Sequence, residues 1–491
     1  MNGKKNTGSV PIYISLSCQT KGSRVIVFET DLFMEVVMKK ISLLRFFVLL
    51  AITLLVGCAH YTVNTPLEKY DPQSGYRKKF LGQPGNSESL GLYLTFSGGG
   101  TRAAVLAYGV LERLRDTELV IDGKRRRLLD EVDGISGVSG GSFTAGYYGL
   151  FGDQIFEDFE DRFLKKNIQG ALTRRTILNP YNWARLLSGR FGRSDLSAEY
   201  YDKHVFEGGT FGDIAAREGP MIVINATDMV TGIRVGFIQD TFDVICSDVS
   251  TFPVARGAAA SSAVPVVLTP ITLRNYANIC GFKLPEAMGR ALREQDVTKR
   301  QFHHLVDIQP YLDANKNRYI HLVDGGVADN LGVRAVLDRV IAFGDFWTTL
   351  KNVGMEKTHK IVIIVVNAET EVSRSKSLFG KIPGLGDMLK SYSSIAISRY
   401  NFETVMLLQE SFKRWAEEVR ENRCAGGPID TSPGGCGDIE FYLIEVKFDA
   451  LKDNAERSYF KGLPTTFKLS SEEVDTLRET ADRLLAESPE F

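Results

Sequence analysis

The clearest hydrophobic pattern along the chain is a repeated switch from an apolar run to a glycine-rich break. LYLTFSGGGTRAAVLAYGVLERL, residues 92–114, opens apolar and breaks at Gly98-Gly99-Gly100; Ala104, Ala107, Leu111 and Leu114 then fall three or four apart. That spacing predicts a strand, a tight loop and a helix with one apolar face. VDGISGVSGGSFTAGYYG, residues 132–149, repeats the design, with a strand-like run before a helix-like one. A third apolar run, Ile320 to Val323, ends in Asp324-Gly325-Gly326. Further strands are expected at Met221–Ala226 and, after a turn at Thr231-Gly232, at Arg234–Ile238. KIVIIVVN, from Lys360 to Asn367, lacks alternation, which implies burial on both faces. Residues 387–421 read as a long helix or helix pair, and Phe441–Phe448 as a strand. Ser470 and Glu473 form a capping box that opens a last helix, to about Leu485.

Between these elements the signal is weaker. Residues 152–218 read as mostly helical: FEDFEDRFLKKN, NPYNWARLLSGRF, SAEYYDKHVF. Their aromatics Phe159, Phe163, Tyr181, Trp183 and Phe191 suit either a core or a lipid-facing lid, and core is the preferred reading. Residues 281–312 read as a polar surface excursion, with His303-His304 in a surface loop, and Tyr311–Asn317 as a turn. The basic run Lys124–Arg127 reads as a solvated surface turn in preference to a lipid headgroup site. No internal repeat is visible.

The glycine breaks are the candidate chemistry. Three glycines before a helix N-terminus aim several backbone N–H groups at one point, where the helix dipole favours an anion. One reading is a cofactor phosphate: Gly98-x-Gly100-x-x-Ala103 meets the relaxed dinucleotide fingerprint, with Asp122 placed to hold a ribose. The other is an oxyanion hole, which needs a nucleophile. Gly137-Val138-Ser139-Gly140-Gly141 supplies it as G-x-S-x-G, which puts a serine on a sharp turn at a helix N-terminus.

With Asp324-Gly325-Gly326 added, the chain resembles the patatin-like phospholipases, a family with a G-G-x-R/K oxyanion loop, a G-x-S-x-G serine and a D-G-G/A aspartate in that order. Here these stand as Gly99-Gly100-Thr101-Arg102, Gly137 to Gly141 and Asp324-Gly325-Gly326. GAAASSAVPVVLTPI, from Gly257, resembles the family's A-S-x-A-x-P block. The motifs span roughly residues 89–335; the tail from about 346 carries none. The resemblance implies a three-layer α/β/α fold with a mostly parallel central sheet and a phospholipid or other acyl-lipid substrate. It implies a Ser139–Asp324 dyad without histidine or cofactor. Gly99, Gly100 and Thr101 N–H groups would hold the oxyanion, within a loop running from Gly98 to Arg102. Arg102 would steady that loop or meet a lipid phosphate. Two other readings compete. An α/β-hydrolase triad requires a histidine after the acid, and only His359 follows Asp324. A catalytically dead lipid-binding lipoprotein is opposed by the intact motifs.

Composition sets bounds. The 491 residues are 44% hydrophobic and 24% charged, ordinary for a globular protein. A formal net charge of -1 offers nothing to nucleic acid. From Met38 a basic start, Lys39, Lys40 and Arg45, precedes the apolar run Phe46–Val56, too short to span a bilayer and suited to a signal peptide. The run ends in Leu55-Val56-Gly57-Cys58, which resembles the bacterial lipobox, so Cys58 is the expected lipidation site and Met38, or Met34, the expected start. A chain from Cys58 carries 52 basic and 57 acidic residues, net -5. Ala59, not aspartate, points to the outer membrane facing the periplasm. The expected organisation is signal region 1–57, lipidated N-terminus and tether 58–88, catalytic domain 89–345 and C-terminal α/β extension 346–491. As a coil, residues 61–88 would span roughly 30 Å. Cysteines of an exported chain pair readily. A Cys424–Cys436 bridge is expected around a loop with little else to order it, and Cys246–Cys280 is left open. Zinc is not expected, for want of C-x-x-C or neighbouring histidines.

Overall fold

A computed structural model describes residues 37–43, 45–46, 61–78, 83, 85–265, 267–370 and 384–491. The chain divides into a unit of residues 1–55 and a unit of residues 56–491. Within the first, residues 37–43, 45 and 46 are helical. Cys58 and most of the apolar run before it lie outside the described residues, as does Val266 in the A-S-x-A-x-P block. Among the described residues no helix is long and apolar enough to cross a membrane.

Among the described residues of the second unit ten strands follow in chain order: β1 (Leu90–Phe96), β2 (Glu118–Ile121), β3 (Lys124–Arg127), β4 (Val132–Val138), β5 (Met221–Asp228), β6 (Arg234–Gly236), β7 (Ile271–Arg274), β8 (Tyr319–Asp324), β9 (Lys360–Asn367) and β10 (Glu440–Lys447). Eight of them form one sheet in the order β10-β9-β1-β4-β5-β8-β7, with β6 beside β5. The run from β10 to β5 is parallel, and β8, β7 and β6 join antiparallel. β2 and β3 make a separate hairpin.

The helices used below are α1 (Thr101–Arg115), α2 (Gly140–Phe151), α3 (Ile168–Leu178), α4 (Pro180–Leu186), α5 (Val254–Ser261), α6 (Arg334–Phe343), α7 (Leu385–Arg423) and α8 (Ser471–Ala486). They cover both faces of the sheet. In β9 the period-2 pleat sends Ile361, Ile363 and Val365 into one core, with Leu337 of α6 and Trp415 of α7. Ile364 and Val366 enter the other, with Leu106 of α1, Phe143 of α2 and Leu477 of α8. Two-sided burial is why KIVIIVVN shows no polar alternation. The capping box forms: Ser470 Oγ accepts from Glu473 N–H, and Glu473 Oε2 accepts from Ser470 N–H.

Several expectations need correction. There is no break at residue 345, because β9 and β10 extend the same sheet as β1. Residues 61–78 are not a free tether. Tyr76 is buried, its hydroxyl donating to Ile222 O and accepting from Ile222 N–H. Asn64 donates to Ser247 Oγ, and Arg77 pairs with Asp240 and Asp243. The segment 281–312 forms helices at Glu286–Glu294 and Arg300–Ile308. Few of their side chains are buried, yet apolar residues do recur at helical spacing, Met288, Ala291 and Leu292 on the first and Phe302, Leu305 and Val306 on the second; His303 and His304 lie on the second helix. Arg234–Ile238 pairs only as far as Gly236. Asp122 sits at the turn of the β2–β3 hairpin with φ 50°, away from any ribose position, and the neighbouring arginines pair with Glu118, Asp130, Glu131 and Asp153. Phe159, Phe163 and Phe191 are core, while Tyr181 and Trp183 are exposed. Cys424–Cys436 and Cys246–Cys280 are both disulfides.

Candidate active site

The parallel strands β1 and β4 lie side by side, Phe96 opposite Gly137, so the loops at their ends emerge together. The first is the glycine turn. Gly99 and Gly100 have φ of 143° and 63°, which side chains disfavour, so glycine is required there. The second is the serine turn: Ser139 has φ 47° and ψ -116°, a strained backbone that pushes its side chain out of the strand-to-helix corner. The turns touch. A Cβ on Gly140 would lie 1.9 Å from Gly100 O, so only glycine can follow the serine.

β8 brings the acid, since its antiparallel pairing sets Asp324 opposite Ala226 of β5. Ser139 Oγ donates to Asp324 Oδ2 at 2.9 Å, and Gly326 N–H donates to Asp324 Oδ1 at 2.8 Å. Burial pushes the Asp324 carboxyl up to about 6, against the lowering effect of these two hydrogen bonds. Among the described residues no histidine touches either side chain. His359 Nδ1 meets Asp438 O at 3.0 Å, and His359 precedes β9 at the end of the strands opposite Ser139. Six residues of strand make that separation roughly 20 Å.

The five residues of the expected oxyanion loop divide by their partners. Gly98 N–H donates to Asn330 O at 2.9 Å and Thr101 N–H to Thr466 O at 2.9 Å, so both are committed. Among the described residues the N–H groups of Gly99 and Gly100 have no acceptor, nor has that of Gly140, the residue after the serine. Arg102 is buried away from any headgroup. Its Nε donates to Ala368 O at 2.9 Å, Nη1 to Leu463 O at 2.6 Å and Nη2 to Thr465 Oγ1 at 3.2 Å. Burial without a carboxylate lowers it to about 10. Of the two expected roles, it steadies the loop.

Sequence reasoning gave no role to three residues that hold these turns. Ser261 Oγ, at the end of α5, accepts from Ser139 N–H at 2.8 Å and donates to Asn225 O at 2.6 Å. Asn225 Nδ2 donates to Gly137 O at 3.1 Å, which secures the strand before the serine. Asn330 anchors Gly98. Ser261 lies in the A-S-x-A-x-P segment, a signal that was in hand; Asn225 and Asn330 carried none. A buried Asp329, pushed up to about 7 by burial, takes Arg334 N–H at 2.7 Å beside Asn330. Among the described residues no cluster of His, Cys, Asp or Glu could hold a metal.

Fold and site together describe an α/β protein with a serine on a strained turn, a buried carboxylate on its hydroxyl and a glycine turn beside it. The family model described as Patatin-like phospholipase matches residues 94–337, which include every residue of this constellation. Eleven chains of solved structures match. One, human GIVD cytosolic phospholipase A2, is 16% identical with a TM-score of 0.34, over 56% of this chain and 45% of its own. This chain thus spans less than half of that protein, and a likeness at that level carries no argument about the site. No curated protein matches.

Proposed function

We propose that the protein is a serine acyl-ester hydrolase of membrane lipids, a phospholipase A or lipid acyl hydrolase, working through a Ser139–Asp324 dyad. The observation that carries this is the 2.9 Å hydrogen bond from Ser139 Oγ to Asp324 Oδ2. Asp324 takes the hydroxyl proton as Oγ attacks the ester carbonyl. Gly99 and Gly100 N–H groups, with Gly140 N–H adjacent, receive the oxyanion. Each such donor is typically worth about 3 kcal/mol in the transition state. Collapse breaks the ester C–O bond, and Asp324 returns its proton to the departing alcohol. Water, deprotonated by Asp324, then attacks the acyl-serine; the Ser139 Oγ–acyl bond breaks, Asp324 returns the proton to Oγ, and a fatty acid leaves. A carboxyl lifted to about 6 suits this work better than an ordinary one, since it is ionised at neutral pH yet basic enough to accept a proton.

The lipobox-like Leu55-Val56-Gly57-Cys58 supports a lipid anchor on Cys58 that holds the enzyme at the periplasmic face of the bacterial outer membrane. The purified full chain should release fatty acid from phospholipid or a related acyl lipid, and Ser139→Ala should release none. A panel of lipid classes from which the two proteins release equal amounts would overturn the reading.

A further inference from the structure

The helical insertion after the serine helix contains a surface that the dyad does not use. α3 and α4 form a hairpin pinned by its own polar groups: Trp183 Nε1 donates to Thr176 O at 2.7 Å, and Asn182 Nδ2 donates to Arg175 O at 2.9 Å. The pinning leaves apolar side chains turned outward. Ile177, Leu178, Tyr181, Trp183 and Leu187, from the end of α3 through α4, are between 51% and 74% exposed. Exposed apolar side chains gathered in this way mark a docking surface. Its occupant is indicated by charge. Residues 165–193 contain seven Lys and Arg and no Asp or Glu, although the chain as a whole is nearly neutral. Lys165 and Arg185 have acidic partners on other elements, while Lys166 and Arg174 extend into solvent. A basic helical element with Trp, Tyr, Ile and Leu at its tip fits an anionic lipid interface, where aromatic rings settle at headgroup depth and basic side chains meet phosphate. A second copy of the same basic surface would be repelled.

Position connects this surface to the site. α3 borders an open cleft of about 690 Å³, lined by Gln169, Thr173 and Ile177 on one side and by Thr466 and Lys468 on the other. Thr466 links the two: it lines the cleft, and its O accepts from the N–H of Thr101, the residue that follows the glycine turn. We infer that the α3–α4 hairpin is an interfacial docking element that seats on anionic phospholipid and presents the cleft beside the glycine turn to the bilayer; its catalytic meaning rests on the hydrolase reading above.

Trp183 is its own reporter. With the full chain and vesicles containing brominated phosphatidylglycerol, Trp183 emission should be quenched, and Trp183→Phe should remove that quenching while the signals of Trp347 and Trp415 remain. Phosphatidylcholine vesicles or about 0.5 M salt should weaken it, because the attraction is to anionic headgroups and is screened. In a variant with Ile177, Leu178, Trp183 and Leu187 all changed to Ser, the ratio of vesicle to water-soluble ester hydrolysis should fall about tenfold or more. Quenching that survives in Trp183→Phe, or that is equal on neutral vesicles, overturns the inference. So does a tip variant that alters self-association and leaves the ratio of vesicle to water-soluble ester hydrolysis intact. A wild type that hydrolyses neither substrate but shows Trp183-dependent quenching sinks the hydrolase reading and leaves the docking surface standing.

Discussion

Replacing Asp324 by Asn separates what the carboxylate does for the chemistry from what it costs the fold. Asparagine keeps the shape: its Oδ1 still takes Gly326 N–H, and the Ser139 hydroxyl can turn to accept from the amide. Only the base is lost. General-base catalysis is typically worth about 10²- to 10⁴-fold, so kcat/KM on a soluble ester should fall by that range. Stability should move the other way. The Asp324 carboxyl is raised in the folded state from an ordinary 3.8 to about 6, so the fold favours the protonated form. For such an acid the penalty is absent below the unfolded value, grows as pH climbs from 3.8 to about 6, and is complete above that. Roughly two units at 1.36 kcal/mol each make it about 3 kcal/mol. Spread over a unit of this size, that is a rise of roughly 3 °C in Tm for Asp324→Asn at pH 8, shrinking towards zero near pH 4. In the wild type kcat/KM should climb with pH to a plateau above about 6. The assays are ester hydrolysis across pH and thermal melts at pH 4.5 and 8. An Asn variant within tenfold of wild-type activity, or one whose stability gain does not depend on pH, refutes the assignment of Asp324 as a buried base.

Arg102→Met should destabilise the fold by about 3 kcal/mol in urea titration, because Ala368 O and Leu463 O lose a charged donor and stay buried; a loss under 1 kcal/mol would contradict its role as the tie between the glycine loop and the C-terminal segments. His359→Gln should hold kcat/KM within about threefold, well under 1 kcal/mol of barrier, since the ring lies at the far edge of the sheet; a dead variant would restore the triad reading. Metabolic labelling with a fatty acid should mark the wild type and not Cys58→Ser, and equal labelling of both would remove the anchor.

What could be read from the residues alone was local. Gly99, Gly100 and the serine turn were visible because backbone conformation there excludes side chains, and such exclusions leave their mark on composition. β9 was visible because burial on both faces removes polar alternation. What stayed hidden depends on contacts between distant residues. No local pattern reports that β9 sits between β1 and β10, or that Asn330 O meets Gly98 N–H across the site. Residues 61–78 read as a tether because they are held by polar bonds from Asn64, Tyr76 and Arg77, not by an apolar stripe. Helices 286–294 and 300–308 bury little beyond Ala291 and Leu305; their apolar residues do recur at helical spacing, a signal overshadowed by the polar composition around it. Arg102 pointed two ways, and only its acceptors, two of them buried carbonyls, chose between them. The aromatic residues of the insertion split between core and surface, a division that composition cannot express.

The central claim is that Ser139 becomes acylated with Asp324 as its base. The most direct measurement is acid quenching of the full chain during turnover of an acyl ester, followed by mass spectrometry of the peptide that contains residue 139. The account predicts an adduct of one acyl group on Ser139 in the wild type, absent from Ser139→Ala and strongly reduced in Asp324→Asn. An enzyme that turns over with its acyl group on another residue, or with Asp324→Asn acylated as fast as the wild type, would contradict it.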